Sequence, residues 1–260
     1  SKYPLKKDLE NSKNFIKPTA QIRFSPTNGK DISSSGARID YDNIFSPNRI
    51  GRSDMVEKGS SLTLGVEFEK QDFKNEKVFG INLGNVFKYK KNESLPSKSK
   101  LDQTRSDIVG NLYYKVQDII EINYNFSYDR DLNFSNYDAF TTSVELNKLV
   151  SKFDYITENH ELGNTETIKN NTQFKITDEH SLQFETTKDL KDDFTQFYKL
   201  SYGYETDCLL ASFQYQKKFF RDDDLLPDES LFFLIRFIPF AEVRGSANTI
   251  FENKSDRKSE

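Results

Sequence analysis

Residues 120–129 read Ile-Glu-Ile-Asn-Tyr-Asn-Phe-Ser-Tyr-Asp, so that Ile120, Ile122, Tyr124, Phe126 and Tyr128 alternate strictly with Glu121, Asn123, Asn125, Ser127 and Asp129. Successive side chains of a strand point to opposite faces, and the stretch therefore predicts a β-strand with one apolar and one wet face. The same alternation sets Leu62, Leu64, Val66 and Phe68 against Thr63, Gly65, Glu67 and Glu69. It sets Leu209, Ala211, Phe213 and Tyr215 against Ser212, Gln214 and Gln216, and it recurs at Phe79, Ile81 and Leu83 and at Phe140, Thr142, Val144 and Leu146. No helical periodicity competes with it over a long window.

Counting this pattern predicts about twelve strands, near 18–26, 60–72, 77–91, 107–118, 119–132, 136–148, 152–162, 166–177, 180–189, 194–206, 208–221 and 229–240. Most connections are short and carry turn chemistry, as in Val116-Gln117-Asp118, Thr177-Asp178-Glu179 and Glu205-Thr206-Asp207. Two, 27–59 and 92–106, are long and rich in Ser, Asn, Asp, Lys and Gly. No sequence repeat accompanies the rhythm, so a solenoid or propeller is not supported.

Composition narrows the class. The 260 residues are 35% hydrophobic and 30% charged, with a mean hydropathy of −0.75, yet include 23 Phe and 13 Tyr, far too aromatic for a disordered chain. Apolar runs reach only about five residues, as at 231–235, against the roughly 20 that a transmembrane helix needs. With 37 basic and 41 acidic residues, the net charge of −4 gives no case for nucleic acid. A single cysteine, Cys208, excludes an internal disulfide framework and a CxxC metal site. The opening SKYPLKKDLE has no apolar signal-peptide core, which predicts an intracellular chain or one whose beginning lies upstream.

Long strands, each polar on one face, predict an all-β fold: an antiparallel transmembrane β-barrel, present here in part as about twelve strands of a larger barrel. A soluble sandwich would have strands of about five or six residues, and a soluble up-and-down barrel would turn its apolar face inward. Lys115 and Lys199 fall on polar-face positions, as a lumen requires. If 229–240 is the last strand and returns the chain to the periplasm, as bacterial barrels generally do, counting backwards places both long connections outside, together with Arg221-Asp222-Asp223-Asp224. The turns at 70–77, 116–120, 148–152, 177–180 and 205–208 then fall in the periplasm, the asymmetry expected of bacterial barrels.

Three segments resemble the outer-membrane lipopolysaccharide-assembly family LptD. The first runs Asp42-Asn43-Ile44-Phe45-Ser46-Pro47-Asn48-Arg49-Ile50, then Asp54-Met55-Val56-Glu57-Lys58-Gly59 and the strand from Leu62, and is similar to the family's D-N-L-F-x-x-N-R-F, D-R-x-E-x-G and T-x-G strand. Gly84 to Tyr89 resembles its G-Q-x-Y-R, with Asn85 for Gln. Tyr204-Glu205-Thr206-Asp207-Cys208-Leu209, with Arg221, Asp222 and Pro227 downstream, is similar to its Y-E-x-x-C-L and closing hairpin.

The resemblance covers about 18–240 and corresponds to the C-terminal part of the family's barrel, which assigns 1–240 to that domain and 241–260 to a polar tail. It implies a conduit in the bacterial outer membrane that inserts lipopolysaccharide into the outer leaflet, and not an enzyme. Its implied partners are an LptE-like lipoprotein plug and, through an N-terminal domain, a periplasmic LptA-like bridge, with no cofactor. The family's lateral opening lies between its first and last strands, and 229–240 would supply the last. A passive porin-like channel explains the alternation equally well, but not the loop motif or Cys208.

The candidate loop residues are Asp42, Asn43, Phe45, Asn48, Arg49, Asp54, Glu57 and Gly59. Arg49, Asp54 and Glu57 either pin the loop by ion pairs or form a solvated cluster, and Gly51 and Gly59 supply positive φ. The family ties its late Cys to the periplasmic domain, which makes Cys208 a disulfide candidate; the alternative is a lone buried thiol. Asp222, Asp223, Asp224, Asp228 and Glu229 lack metal-loop spacing and read as a solvated loop, so no metal is expected. Neither His160 nor His180 stands in a catalytic motif.

Overall fold

The computed structural model describes residues 4–26, 30–50, 57–159, 164–220 and 227–237, and the backbone of 241–246. Its strands are β1 (Leu5–Leu9), β2 (Ser12–Ser25), β3 (Gly59–Asp72), β4 (Lys77–Lys88), β5 (Ile108–Val116), β6 (Ile120–Tyr128) and β7 (Ser135–Leu146). They continue with β8 (Leu149–Glu158), β9 (Thr165–Lys175), β10 (His180–Asp189), β11 (Phe194–Glu205), β12 (Leu209–Lys218), β13 (Asp228–Phe237) and β14 (Ala241–Ser246). β2 to β13 are the strands that the alternation predicts.

The two others correct the reading. β1 carries Lys6-Lys7-Asp8 between two leucines, all five residues are exposed, and no alternation announces it. Ala241–Ser246, assigned to the polar tail, instead pairs with β13 from Phe237↔Ala241 to Phe232↔Ser246. Strand 229–240 is thus β13, flanked by β12 and β14, and is not the last strand. A strand edge is a row of unpaired donors and acceptors, so β13 recruits a neighbour that has little apolar content of its own.

The chain forms two compact units, one of Ser1–Thr142 with Ile156–Thr165, the other of Ser143–Tyr155 with Glu166–Glu260. Within each, the strands follow one another in chain order, and the registered pairs are antiparallel. In the first unit, directly opposed residues build rows across five strands. Lys17, Glu67, Asn82, Asn111 and Asn125 form one on the polar face. On the opposite face lie Ile16, Phe68, Ile81, Leu112 and Tyr124, and beside them Pro18, Val66, Leu83, Gly110 and Phe126. Pro18 lies beyond the stretch of β2 that pairs with β1, where a missing N–H costs nothing. Phe126 lies over Gly110, whose added Cβ would come 2.3 Å from the ring. In the second unit Phe174, Leu182, Tyr202, Phe213 and Phe233 form an apolar row, and Gln173, Gln183, Ser201 and Gln214 a polar one.

The apolar rows face outward and stay accessible: Ile22 is 84% and Phe24 73% exposed. A sheet that leaves its apolar face uncovered and keeps amides and carboxylates on the other belongs to a bilayer, where lipid covers the outside. Connections fit this too. In the first unit 26–58, 89–107 and 129–134 alternate along the chain with the tight turns 10–11, 73–76 and 117–119. Positive φ at Asn75 and Gln117 closes two of those turns, and Asp72 Oδ1 accepts from the amides of Lys74 at 2.8 Å and Glu76 at 2.9 Å.

Placing a charge on the outward face should be costly and on the polar row cheap. Val66→Arg is expected to destabilise the full-length barrel in lipid vesicles by about 2–4 kcal/mol and Asn125→Lys by less than about 1 kcal/mol, measured by equilibrium unfolding in denaturant.

Candidate functional site: loops folded onto the polar face

A sheet with lipid on one side and water on the other has no apolar interior of its own. Among the described residues the buried hydrophobic cluster is Ile32, Ile39, Tyr41, Ile44, Ile50, Leu95, Leu101, Val86 and Val109. All but Val86 and Val109 come from the two long connections. The loops bring their own core and set it on the polar face of β3, β4 and β5. Gly65 and Gly84 stand directly opposite each other on that face and leave a shallow bed. An added Cβ would meet the Phe45 ring at 2.6 Å from Gly65 and Ile44 Cδ1 at 3.0 Å from Gly84. Tyr41 and Phe45 meet edge to face, 5.9 Å between centroids.

Short polar side chains fold the loop before it packs. Asp40 Oδ1 accepts from the Asn43 amide at 2.8 Å, Asn43 Oδ1 accepts from the Asp40 amide at 3.1 Å, and Asn43 Nδ2 donates to the Arg38 carbonyl at 3.0 Å. Asn48 Oδ1 accepts from the Ile50 amide at 3.2 Å, which turns the chain toward Arg49. Gln21 Nε2 of β2 donates to the Phe45 carbonyl at 3.0 Å. The second loop is joined through the Ile32 amide to the Ser94 carbonyl, 2.9 Å, and Ser99 Oγ to the Ile39 carbonyl, 3.3 Å. Both loops reach Glu158 of β8, through Arg38 and through Lys98 at 3.1 Å.

At the centre is Glu57, wholly buried. Arg49 clamps it with both arms of its guanidinium, Nε to Oε2 at 2.8 Å and Nη2 to Oε1 at 2.7 Å, and also donates to Ser61 Oγ at 2.8 Å. Arg23 of β2 reaches Oε1 at 2.9 Å and the Glu57 carbonyl at 2.7 Å, and Lys88 of β4 approaches Oε1 at 3.3 Å. Burial pushes the carboxyl up, but Arg49, Lys88 and Arg23 together outweigh it and hold Glu57 below the usual carboxylate range. One carboxylate thus ties the loop to β2 and β4 just where β3 begins. Gly59 follows with φ 101°, the positive value that only glycine takes without strain.

Of the motif residues, Arg49 and Glu57 meet, Asn43 and Asn48 shape the turn, Phe45 seats on Gly65, and Asp42 is exposed. Asp54 lies outside the described residues, as do Gly51, His160 and Arg221 to Asp224. Glu229 pairs with Lys217 at 2.5 Å. His180 Nδ1 lies 2.6 Å from the Tyr202 hydroxyl. Cys208 is exposed in the turn between β11 and β12, so the buried-thiol alternative fails. Sequence reading missed Arg23, Lys88 and Gln21, which read as ordinary polar-face positions, and the apolar loop residues, which stand singly in polar sequence.

Geometry and fold define an antiparallel outer-membrane-type β-barrel sheet whose polar face is occupied by its own loops. A family model described as LptD, LPS transport system D, matches residues 1–188, and the chain belongs to that family. The match includes the whole loop motif and ends before Cys208. Among solved structures the chain is similar to engineered variants of the porin of Rhodopseudomonas blastica. One has 8% identity and a TM-score of 0.41, with 90% of this chain and 84% of that chain covered. A triple mutant has 7% identity at the same TM-score and coverage. No curated protein matches the chain significantly in sequence.

Removing the carboxylate leaves three buried cations facing one another. Glu57→Gln, nearly isosteric, is expected to cost roughly 3–5 kcal/mol and to open the loop to protease. Because the folded pKa is depressed, the stabilisation is complete above the ordinary Glu value of about 4.3 and is lost as pH falls through the lowered value. Limited pepsin digestion should therefore find the loop of the parent chain protected just above the ordinary Glu value and increasingly cut as pH falls well below it, and cut throughout in Glu57→Gln.

Proposed function

We propose that this chain is the C-terminal part of a translocon barrel that delivers lipopolysaccharide to the outer leaflet of the bacterial outer membrane. The observation that carries the reading is that motif residues Asn43, Ile44, Phe45, Asn48, Arg49 and Glu57 take part in the folded plug, with Glu57 at its centre. A passive pore needs a polar lumen but has no use for a carboxylate clamped by three cations from two strands and a loop. A polyanionic amphiphile needs a hydrated face for its sugars and a lipid-facing exterior for its acyl chains, and the rows of β2 to β6 offer one on each side. An LptE-like plug within the complete barrel and an LptA-like bridge on its periplasmic side are the partners this reading requires.

Two experiments test it. In cells dependent on the full-length variant, Gly65→Val should force Phe45 off its bed, at the 1–3 kcal/mol or so of an overpacked site. Surface lipopolysaccharide should fall severalfold while the amount of folded barrel in the outer membrane changes little. Unchanged surface lipopolysaccharide with a displaced, protease-sensitive loop would remove the motif from the transport step. For Cys208, whose turn between β11 and β12 is one of the short connections that an outer-membrane barrel keeps on its periplasmic side, non-reducing electrophoresis of the full-length protein should show a mobility shift that Cys208→Ser abolishes. A fully thiol-reactive Cys208 in protein from the outer membrane would end the covalent-tie reading.

A further inference from the structure

Asp107 ends the second long loop and is wholly buried at the foot of β5. Its backbone is held from β4, where Asn85 Nδ2 donates to the Ser106 carbonyl at 2.8 Å and to the Asp107 carbonyl at 2.9 Å. The loop holds it too, since the Asp107 amide donates to the Ser99 carbonyl at 2.9 Å. The carboxylate reaches along the polar face to the next two strands: Oδ2 accepts from Ser127 Oγ of β6 at 3.1 Å and from Asn136 Nδ2 of β7 at 2.7 Å. Ser127 and Asn136 are each 1% exposed. The backbone carbonyl of Asn136 in turn accepts from the Asn159 amide, 2.9 Å, just past the end of β8.

This knot has one acceptor too many. Asn136 Oδ1 is enclosed and accepts no hydrogen bond among the described residues, although the other end of the same amide is pinned to Asp107. A buried amide oxygen left without a donor is destabilising, and a folded site normally supplies it with a donor or a cation. A second buried carboxylate stands at the same level. Val109 lies directly opposite Ser127 and Ile108 opposite Tyr128, so Asp107 and Asp129 come next, on the face that Val109 and Ser127 share. Asp129 is 9% exposed, its Oδ2 accepts from the Asp131 amide at 3.2 Å, and it makes no ion pair among the described residues. The basic side chains of the loops are engaged elsewhere: Arg105 donates to Asn85 Oδ1 at 3.1 Å, and Arg38 and Lys98 are drawn to Glu158.

We propose that Asp107, Asp129 and Asn136 form a calcium site at the loop end of β5, β6 and β7, with the Asn136 side-chain oxygen as its neutral ligand. Carboxylate and amide oxygens are hard donors that suit Ca²⁺ or Mg²⁺ over the softer metals. Ca²⁺ accepts an irregular set of oxygens, whereas Mg²⁺ demands an octahedron and keeps several waters, for which side chains this enclosed leave little room. Two carboxylates with few neutral partners place the affinity in the range of extracellular calcium modules, roughly 0.1–1 mM. The ion draws three strands together where the second loop ends. That loop carries Leu95 and Leu101 of the plug core, and its Ser99 Oγ holds the first loop at the Ile39 carbonyl, so occupancy of the site tightens the plug without touching the Glu57 cluster.

The test uses the full-length protein refolded into phosphatidylcholine nanodiscs free of lipopolysaccharide, stripped with chelator and titrated with calcium chloride at constant ionic strength. Cleavage within 89–107 by a lysine-specific endoproteinase that needs no metal is the readout, and heat-modifiable gel mobility verifies that each variant is a folded barrel. Calcium should slow cleavage of the parent roughly tenfold, half-maximally at about 0.1–1 mM. Asn136→Leu, which removes the amide oxygen, should abolish the response. Asn136→Asp, which adds a charge, should be cut faster than the parent in chelator yet respond at roughly tenfold lower calcium. Asp131→Asn, at the exposed neighbour, should respond as the parent does. A parent indifferent to calcium overturns the proposal. So does an Asn136→Asp variant equally weakened with and without calcium, which would make the group a hydrogen-bonded knot alone. Loss of the response in Asp131→Asn would mean adsorption to surface carboxylates, and equal protection by potassium at matched ionic strength would mean screening; either also overturns it. No arm reads lipid delivery, so failure here leaves the transport reading standing.

Discussion

A backbone that crosses hydrocarbon must satisfy every N–H and C=O within the protein, because lipid offers no partner. From this constraint the rest follows. Satisfaction comes from the antiparallel ladder, and the ladder fixes a side-chain period of two. Lipid claims one face for Ile16, Phe68, Ile81, Leu112 and Tyr124, and water keeps the other for Lys17, Glu67, Asn82, Asn111 and Asn125. The hydrophobic effect, which usually gathers apolar side chains between layers, here has only the loops to work with. Ile32, Ile39, Ile44, Leu95 and Leu101 form their core over a polar sheet face, and Ile44 and Phe45 reach that face where Gly84 and Gly65 remove side chains that would keep them off.

The Glu57 cluster shows why this inverted core needs an electrostatic fastener. A loop closing over more than thirty residues loses substantial conformational entropy, and the few isoleucines it buries recover only part of it. Buried ion pairs are a poor source of net stability, since desolvation opposes the Coulomb gain, but breaking one is costly and their geometry is selective. Arg49 supplies the planar fork, and Arg23 and Lys88 contribute from the strands on either side of β3, with Glu57 the carboxylate they share among the described residues. Alternative placements of the loop would strand either Glu57 or the cations. The cluster therefore specifies one loop position more than it deepens the energy well.

Alternation at Ile120 to Tyr128 and in its copies made the strands legible, because period two is written in each strand alone. β1 and β14 were not legible, since Lys6-Lys7-Asp8 and Glu242-Val243-Arg244 hold no such pattern and exist as strands only through the edges they join. The loop motif gave Arg49 and Glu57 as charged residues of opposite sign, but Arg23 and Lys88 lie 34 and 31 positions from Glu57 and become its partners only when β2, β3 and β4 are in register. The long-range half of the site is a property of pairing, and a local reading of sequence contains no term for it.

Net charge misleads for the same reason. A balance of −4 over the chain describes an average, whereas function meets the field at a place. Around the start of β3 and the end of β4 the strands bring together Arg23, Arg49, Lys58, Lys88, Lys90 and Lys91 against Glu57, from three stretches of sequence that each look unremarkable in charge. Glu57 draws Arg23, Arg49 and Lys88 inward and neutralises part of their charge, while Lys58, Lys90 and Lys91 line the opening beside it. One carboxylate thus serves two ends, since the same residue that holds the plug also orients Lys88, the innermost wall of that opening. Loop closure and the cationic rim are coupled through a single side chain, and a chain that lost the plug would lose the shape of the rim.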